Sequence, residues 1–463
     1  MMERHTTFSF TLAPTASQTE ALRKHVGAAR FAFNQCLRLV EDALAVKKDC
    51  PEAKVPWSGF DLINAFNAWK LTEAAGRDEA GNKGLPWRGE VCQQVFEESA
   101  VDLGRALAAF TAGRKAERRG KPPRFPRYKK RTTARPSFRL RSKGVGERAS
   151  IRVGVGGARM IRLPKLGDLR VRECTRRLRR MVRRERARIL FATVSLRSDG
   201  RWRVTFNVEA AEVHSAQRHP TNVAALPVGI DRGLTTFAVV ANAAGEIQRV
   251  ESPRPLRRML SKLRSRSKDV SRKEPSSRNR QRARAKLART HGRIASVRRD
   301  FLHRLSTQLV KNHGHLVIED LCTAGLMRTR VARSLADSAW ALFGAMLKYK
   351  ASWYGATLVV ADRFFPSTRQ CSACGTVGEK LELSVRTFHC SRCGHEADRD
   401  TNAAVNLAKV VAPAGPYVAA KHVETENVCG EESAGARHPA VRETILGEAG
   451  RASAQRPRRA VLA

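Results

Sequence analysis

The sequence predicts an α/β plus β-barrel chain of two main domains, with a zinc ribbon set into the second. Three observations predict it. Residues 1 to about 220 carry short alternating β-patterned runs around a long helical stretch and a basic segment. Residues 221 to 408 read three short strands, helices, a strand, a helix, a strand and a last helix. Cys371, Cys374, Cys390 and Cys393 stand as C-x2-C-x15-C-x2-C, two tight turns whose thiolates converge on one tetrahedral metal.

The 463 residues are 42% hydrophobic, enough to fill two or three cores, and carry a formal charge of +44 from 87 Lys and Arg against 43 Asp and Glu. That imbalance exceeds what solubility needs and calls for a polyanionic partner, nucleic acid first. A membrane partner is not expected: no apolar run reaches about 18 residues, and "MMERHTTFSF" is too polar for a signal peptide. A cytoplasmic protein follows. The remaining cysteines, Cys36, Cys50, Cys92, Cys174, Cys322 and Cys429, show no paired spacing and read as free thiols of a reducing compartment.

In the first domain "TTFSFTL" alternates as a strand, Pro14 breaks it, and Ser17 with Glu20 reads as a capping box. Ala21, Leu22, Val26, Ala29, Phe33, Leu37 and Val40 then recur at helical spacing, while Arg23, Lys24, Arg30 and Arg38 lie off that stripe. From Arg114 to Lys143 there are fourteen Lys or Arg and one Glu, interleaved with Phe125, Tyr128 and Phe138 and broken by prolines. This predicts an extended segment that follows a phosphate backbone and stacks on bases, with Arg124, Arg127, Tyr128, Lys129 and Lys130 as contacts. The helical and basic insertion spans about 17 to 145. Next come "GVGVGGARMIRLPKLGDLRV" and "ILFATVSLRSDGRWRVTFNVEA", with turns at the Gly154, Gly156, Gly157 cluster and at Ser198-Asp199-Gly200, and a second basic run, "RVRECTRRLRRMVRRERAR", between them.

The second domain opens beyond "SAQRHPTNVAALP" with "LPVGID", "TTFAVVAN" and "EIQRVE". Residues 255 to 312 read as a helical hairpin broken at "KEPSSRN". Its second arm packs through Leu287, Ile294, Val297, Phe301, Leu305 and Leu309. The other faces carry Arg280, Arg282, Arg284, Lys286, Arg289, Arg293, Arg298 and Arg299, with Arg282 and Arg293 taken as nucleic-acid contacts. "HLVIED", the helix "ADSAWALFGAMLKYKASWYG", "ATLVVAD", the ribbon at 371 to 393 and a final segment at 394 to 408 complete a ribonuclease H-like order. Residues 409 to 463, rich in Ala, Gly, Pro and Glu and nearly balanced in charge, read as a disordered tail.

Metal-assisted phosphodiester hydrolysis needs carboxylates brought together from distant parts of a chain. In this order the first strand's end, the fourth strand's end and the start of the last helix meet at one edge. Asp231 ends "VGID", Glu319 ends "LVIE" and Asp400 precedes "TNAAVNLA". Asp320, Asp362 and Asp398 stand within reach as rivals, and Asn402 is positioned either to orient a ligand or to bond within the helix start.

"GIDRGL", "VIEDL", the four cysteines and "DRDTNAAVNLA", in this order, resemble the TnpB family of transposon-encoded RNA-guided DNA nucleases related to type V CRISPR effectors. "LRKHVGAARFAFNQCL" and "PRFPRYKK" resemble that family's opening helix and basic loop. The likeness runs from residue 6 to about 408. It implies a RuvC-type nuclease domain in which Asp231, Glu319 and Asp400 bind two catalytic Mg2+ ions, a wedge-like barrel with a helical recognition region, and one structural Zn2+. It also implies a guide RNA from the transposon end, a double-stranded DNA target, a monomer or a dimer on the RNA, and a place at the bacterial nucleoid. Arg232 departs from the small or apolar residue expected after the first acid.

Overall fold

The structure is a computed structural model that describes residues 4–115, 123–144, 148–219, 226–379, 381–382 and 384–410. Part of the basic stretch and residues 411–463 of the tail expected to be disordered lie outside these residues, whereas Lys409, the tail's expected first residue, ends the last helix. The fold divides into two compact units, Met1–Glu212 and Val213–Ala463.

In the first unit the alternating "RHTTFSFT" forms β1 (Arg4–Thr11), and helix α1 (Ala16–Asp49) follows. The cap is Thr15, not Ser17: Gln18 N donates to Thr15 Oγ1, and Gln18 Oε1 accepts from Thr15 N. The box therefore lies two residues earlier than the sequence reading placed it, because Thr15 is the first side-chain acceptor beyond the break at Pro14. Leu22, Ala29, Phe33, Leu37 and Val40 are buried as the helical spacing requires. They meet α2 (Gly59–Trp69) and α3 (Gln93–Lys115) in one core with Leu62, Phe66, Phe96 and Leu103.

The β-rich half comprises β2 (Ser137–Arg141), β3 (Arg152–Val153), β4 (Met160–Leu163), β5 (Gly167–Arg170), α4 (Arg176–Arg183), β6 (Ala187–Leu196) and β7 (Trp202–Ala210). Trp202, Val204, Phe206, Val208 and Ala210 alternate inward along β7, the period a one-sided sheet demands. The expected barrel is not closed. Among the described residues there is an open four-stranded sheet, β1-β7-β6-β2, and a separate three-stranded sheet, β3-β4-β5, joined at the isolated bridge Leu12–Val171. Strands of two to four residues offer too few ladder bonds to span both free edges.

The second unit holds β8 (Val228–Asp231), β9 (Thr236–Asn242), β10 (Ile247–Glu251), α5 (Pro255–Arg258), α6 (Leu260–Ser271), α7 (Arg278–Asn312) and β11 (His315–Glu319). After them come α8 (Thr323–Leu326), α9 (Ala332–Ser338), α10 (Trp340–Tyr354), β12 (Thr357–Ala361), β13 (Thr387–His389), β14 (Glu396–Asp398) and α11 (Arg399–Lys409). The sheet order is β10-β9-β8-β11-β12, antiparallel through β8 and parallel from β8 to β12. The single helix expected over 336 to 355 is two, because Ala339 takes φ 54° and ends one before the next begins. On α7 the stripe through Leu287, Ile294, Phe301, Leu305 and Leu309 packs, whereas Val297 is 42% exposed.

Helix α11 sits directly on β8. A Cβ at Gly229 would lie 2.0 Å from Ala404 O and 2.6 Å from Ala408 N, both backbone atoms that cannot swing aside. Gly229→Ala should therefore cost about 3 kcal/mol or more, measured as a lowered midpoint of thermal or denaturant unfolding.

Candidate active site

The sheet register sets two acids side by side. Parallel pairing aligns Ile230 of β8 with Ile318 of β11, so the next residues, Asp231 and Glu319, end neighbouring strands roughly 4.8 Å apart. The close seat of α11 brings Asp400, in its first turn, to the same edge. Asp231 is 8% exposed. Burial first, then the charges of Glu319 and Asp400, push its carboxyl up to about 8, against an opposing pull from Arg232. The three carboxylates form a looser group than the cysteines, which make the only set of three or more metal-ligand atoms all within 4.8 Å among the described residues.

The rival acids are otherwise engaged. Asp398 is the N-cap of α11: its Oδ1 accepts from Thr401 N at 3.0 Å and pairs with Arg249 at 3.0 Å. Asp320 pairs with Arg363 at 2.6 Å, and Asp362 Oδ1 accepts from Phe364 N at 2.8 Å. The two acids of "DRD" thus divide the work. One closes the helix end and the other faces Asp231.

Arg232 is the residue whose role the sequence did not reveal. Its side chain is 9% exposed, and Nη2 donates to the backbone carbonyl of Glu319. Burial lowers its pKa, while Glu319, Asp231 and Asp320 raise it. A fixed cation therefore lies near Asp231 and Glu319. Ser367 Oγ donates to Glu319 Oε1 and orients that carboxylate. The departure at Arg232 is visible in the sequence but its partner is not, and a loop Ser gives no signal at all.

The four cysteines converge as their spacing requires: Cys371 and Cys393 sulfurs lie 3.7 Å apart and Cys374 and Cys390 sulfurs 3.6 Å apart. Two thiolates on a common zinc at about 2.3 Å and tetrahedral angles stand roughly 3.8 Å apart, so the donor set fits that ion. Every described cysteine is free of disulfides. Asn402 bonds to the first cysteine knuckle and not within the helix start. It is fully buried, accepts from Ser372 N at 2.8 Å and donates to Gln370 O at 2.7 Å. With Asn406, which donates to Ser367 O and Gln370 O, it ties the first knuckle to α11.

The basic residues sort into two groups. Arg124, Arg127 and Lys130 are exposed in the first unit, as are Arg282 and Arg293 in the second. Tyr128 and Lys129 are held by α1: Tyr128 Oη donates to Glu41, and Lys129 Nζ lies 3.5 Å above the Phe33 ring. Phe125 packs edge-on against Phe110, and Phe138 is 4% exposed in the core, so neither is a stacking platform. Arg298 leaves the basic face of α7 and pairs with the buried Asp337.

Three family profiles match: "Probable transposase" over residues 206–330, "Cas12f1-like, TNB domain" over 340–407 and "Helix-turn-helix domain" over 1–48. A Mycobacterium tuberculosis protein named "Putative RNA-guided DNA endonuclease" is 34% identical over 447 residues, 93% of this chain and 92% of its own. The chain belongs to the TnpB family. Other TnpB relatives bearing that same designation occur in Streptomyces pristinaespiralis, 33% identical over 86% of this chain and 88% of the relative, and in Escherichia coli, 29% identical over 88% and 92%. A solved complex, "Cryo-EM structure of the Cas12f1-sgRNA-target DNA complex", is similar at a TM-score of 0.47 and 12% identity, covering 88% of this chain and 99% of that one. In this TnpB chain the first profile spans Asp231 and Glu319, and the second spans the four cysteines and Asp400. The third covers a strand and one unbroken helix.

The raised Asp231 carboxyl has a thermodynamic consequence. An acid with pKa 3.8 when unfolded and about 8 when folded keeps its proton only in the fold, so stability falls as pH rises between those values. With divalent ions chelated, Asp231→Asn should melt at the same temperature as the parent near pH 4. It should melt several degrees higher near pH 8, by calorimetry across that range.

Proposed function

We propose that this chain is a transposon-encoded RNA-guided DNA endonuclease that hydrolyses target phosphodiesters at the Asp231, Glu319 and Asp400 centre, on a RuvC-type ribonuclease H-like domain. The observation that carries this reading is the meeting of three acids from distant segments, one of them buried and only partly offset by Arg232. An all-oxygen donor set suits hard divalent cations, and burying an incompletely compensated carboxylate is costly unless a cation joins it. Asp231, Glu319 and Asp400 would hold two Mg2+ ions, which supply charge to the attacking and leaving oxygens. The chain's own residues prepare the site: Ser367 orients the Glu319 carboxylate, Arg232 pins the strand end that carries it, and Asp398 caps the helix that presents Asp400.

The four cysteines would hold one structural Zn2+ with no open position, keeping the loop between β12 and α11 folded beside the acids. The exposed arginines and lysines would follow the backbones of a guide RNA from the transposon end and of a double-stranded DNA target. Base pairing supplies sequence choice, and the protein supplies shape and charge. The description "Probable transposase" favours a second reading, DNA strand transfer by the same acids.

Asp231→Ala should abolish Mg2+-dependent cleavage while leaving the co-purifying RNA bound. Sequencing that RNA should return one discrete transcript running from the gene's end into flanking DNA. Random RNA together with joining of transposon ends would establish strand transfer instead. Replacing Cys390 by Ser should remove bound zinc by elemental analysis, lower the melting temperature and reduce cleavage; unchanged zinc content would refute the four-thiolate site.

A further inference from the structure

The turn after β12 carries a bare aromatic ring three residues before the serine that holds Glu319. Register pairs Ala361 with Glu319, so the chain leaves the sheet beside that acid. Two ties then hold the turn to the acid strand: Arg363 to Asp320 at 2.6 Å, and Ser367 Oγ to Glu319. Between them stand two phenylalanines with opposite fates. Phe365 packs against Val317, Ala361 and Leu407, whereas Phe364 is 84% exposed, the barest large apolar side chain among the described residues.

Single exposed apolar residues are ordinary, and Phe60 on α2 is 72% exposed. What sets Phe364 apart is that local bonds define its place. Asp362 Oδ1 accepts from Phe364 N at 2.8 Å, an Asx turn, and Phe365 N donates to Asp362 O at 3.1 Å. The buried Phe365, followed by Pro366 with its fixed φ, anchors the other side. A ring presented this way on a short, tethered turn offers a flat apolar face beside carboxylates that would receive a phosphodiester.

We infer that Phe364 is a base-stacking platform: an unpaired base of single-stranded DNA stacks on its ring and sets the phosphate to be cut over Asp231, Glu319 and Asp400. Duplex DNA, whose bases are already stacked on one another, gains nothing from it, so the residue selects unpaired strand. This rests on reading the acid centre as a DNA-cutting site, but its signature is a binding event that needs no cutting.

The test uses the full chain and a short single-stranded DNA carrying 2-aminopurine, with Ca2+ in place of Mg2+. The parent should quench the probe on binding. Phe364→Ala should lose that quenching and bind single strand about tenfold more weakly, with duplex binding and zinc content unchanged. Phe364→Trp should restore both, and Phe364→Leu, apolar but without a π-face, should not. Equal quenching by parent and Phe364→Ala, or full rescue by Leu, overturns the inference. If Phe364 variants behave as stated while the parent, loaded with its RNA, cuts no DNA, the nuclease reading fails and the stacking site stands.

Discussion

The structure of the second unit depends on how closely α11 approaches β8. Strand and helix meet backbone to backbone at Gly229 and Ala404, a separation that any side chain at position 229 would prevent. From that seat α11 does three things at once. Its first turn carries Asp400 to the ends of β8 and β11, its buried Asn402 and Asn406 hold the first cysteine knuckle, and Ala404 and Leu407 cover the sheet. Moving the helix outward by the width of a methyl group would disturb the acids and the cysteine cluster together. Fold and site share one contact.

That geometry creates an electrostatic problem that the chain solves only in part. Three carboxylates at one edge repel, and the most buried of them keeps its proton up to about 8. Arg232 offsets some of this repulsion, and its burial leaves its charge little screened. Neighbouring acids that would worsen the repulsion are each drawn off by a local partner: Arg363 for Asp320, Arg249 and the helix N-terminus for Asp398. Residual repulsion of this kind leaves the fold less stable above the range where Asp231 loses its proton than packing alone would allow.

Local patterns were the legible part of the sequence. The β7 alternation, the α1 stripe, the order of elements in the second unit and the four-cysteine spacing each depend on residues close together in the chain, and each appears in the fold. The cap at Thr15, the break at Ala339 and the exposure of Val297 escaped because a shift of one or two residues changes little in a periodic pattern but decides a boundary. The open sheets escaped for a different reason: closure depends on whether short strands such as β3 can reach an edge, and no local signal reports strand length in space.

Basic residues were the hardest to assign, because a cation's role is set by a partner that can be far away in sequence. Arg298 and Asp337 are 39 positions apart, yet the pair anchors α7 to the N-terminus of α5 through Leu256 N and Arg257 N. Lys350, 4% exposed and pushed down to about 8 by burial, gives its three protons to His303 O, Ser306 Oγ and Thr307 Oγ1, each at 2.7 Å, and so clamps α10 to α7. Lys129 covers an aromatic ring. A large positive surplus therefore does not translate residue by residue into nucleic-acid contacts. Some of it is structural, and among the described residues cations such as Arg282 and Arg293 are left exposed at the surface.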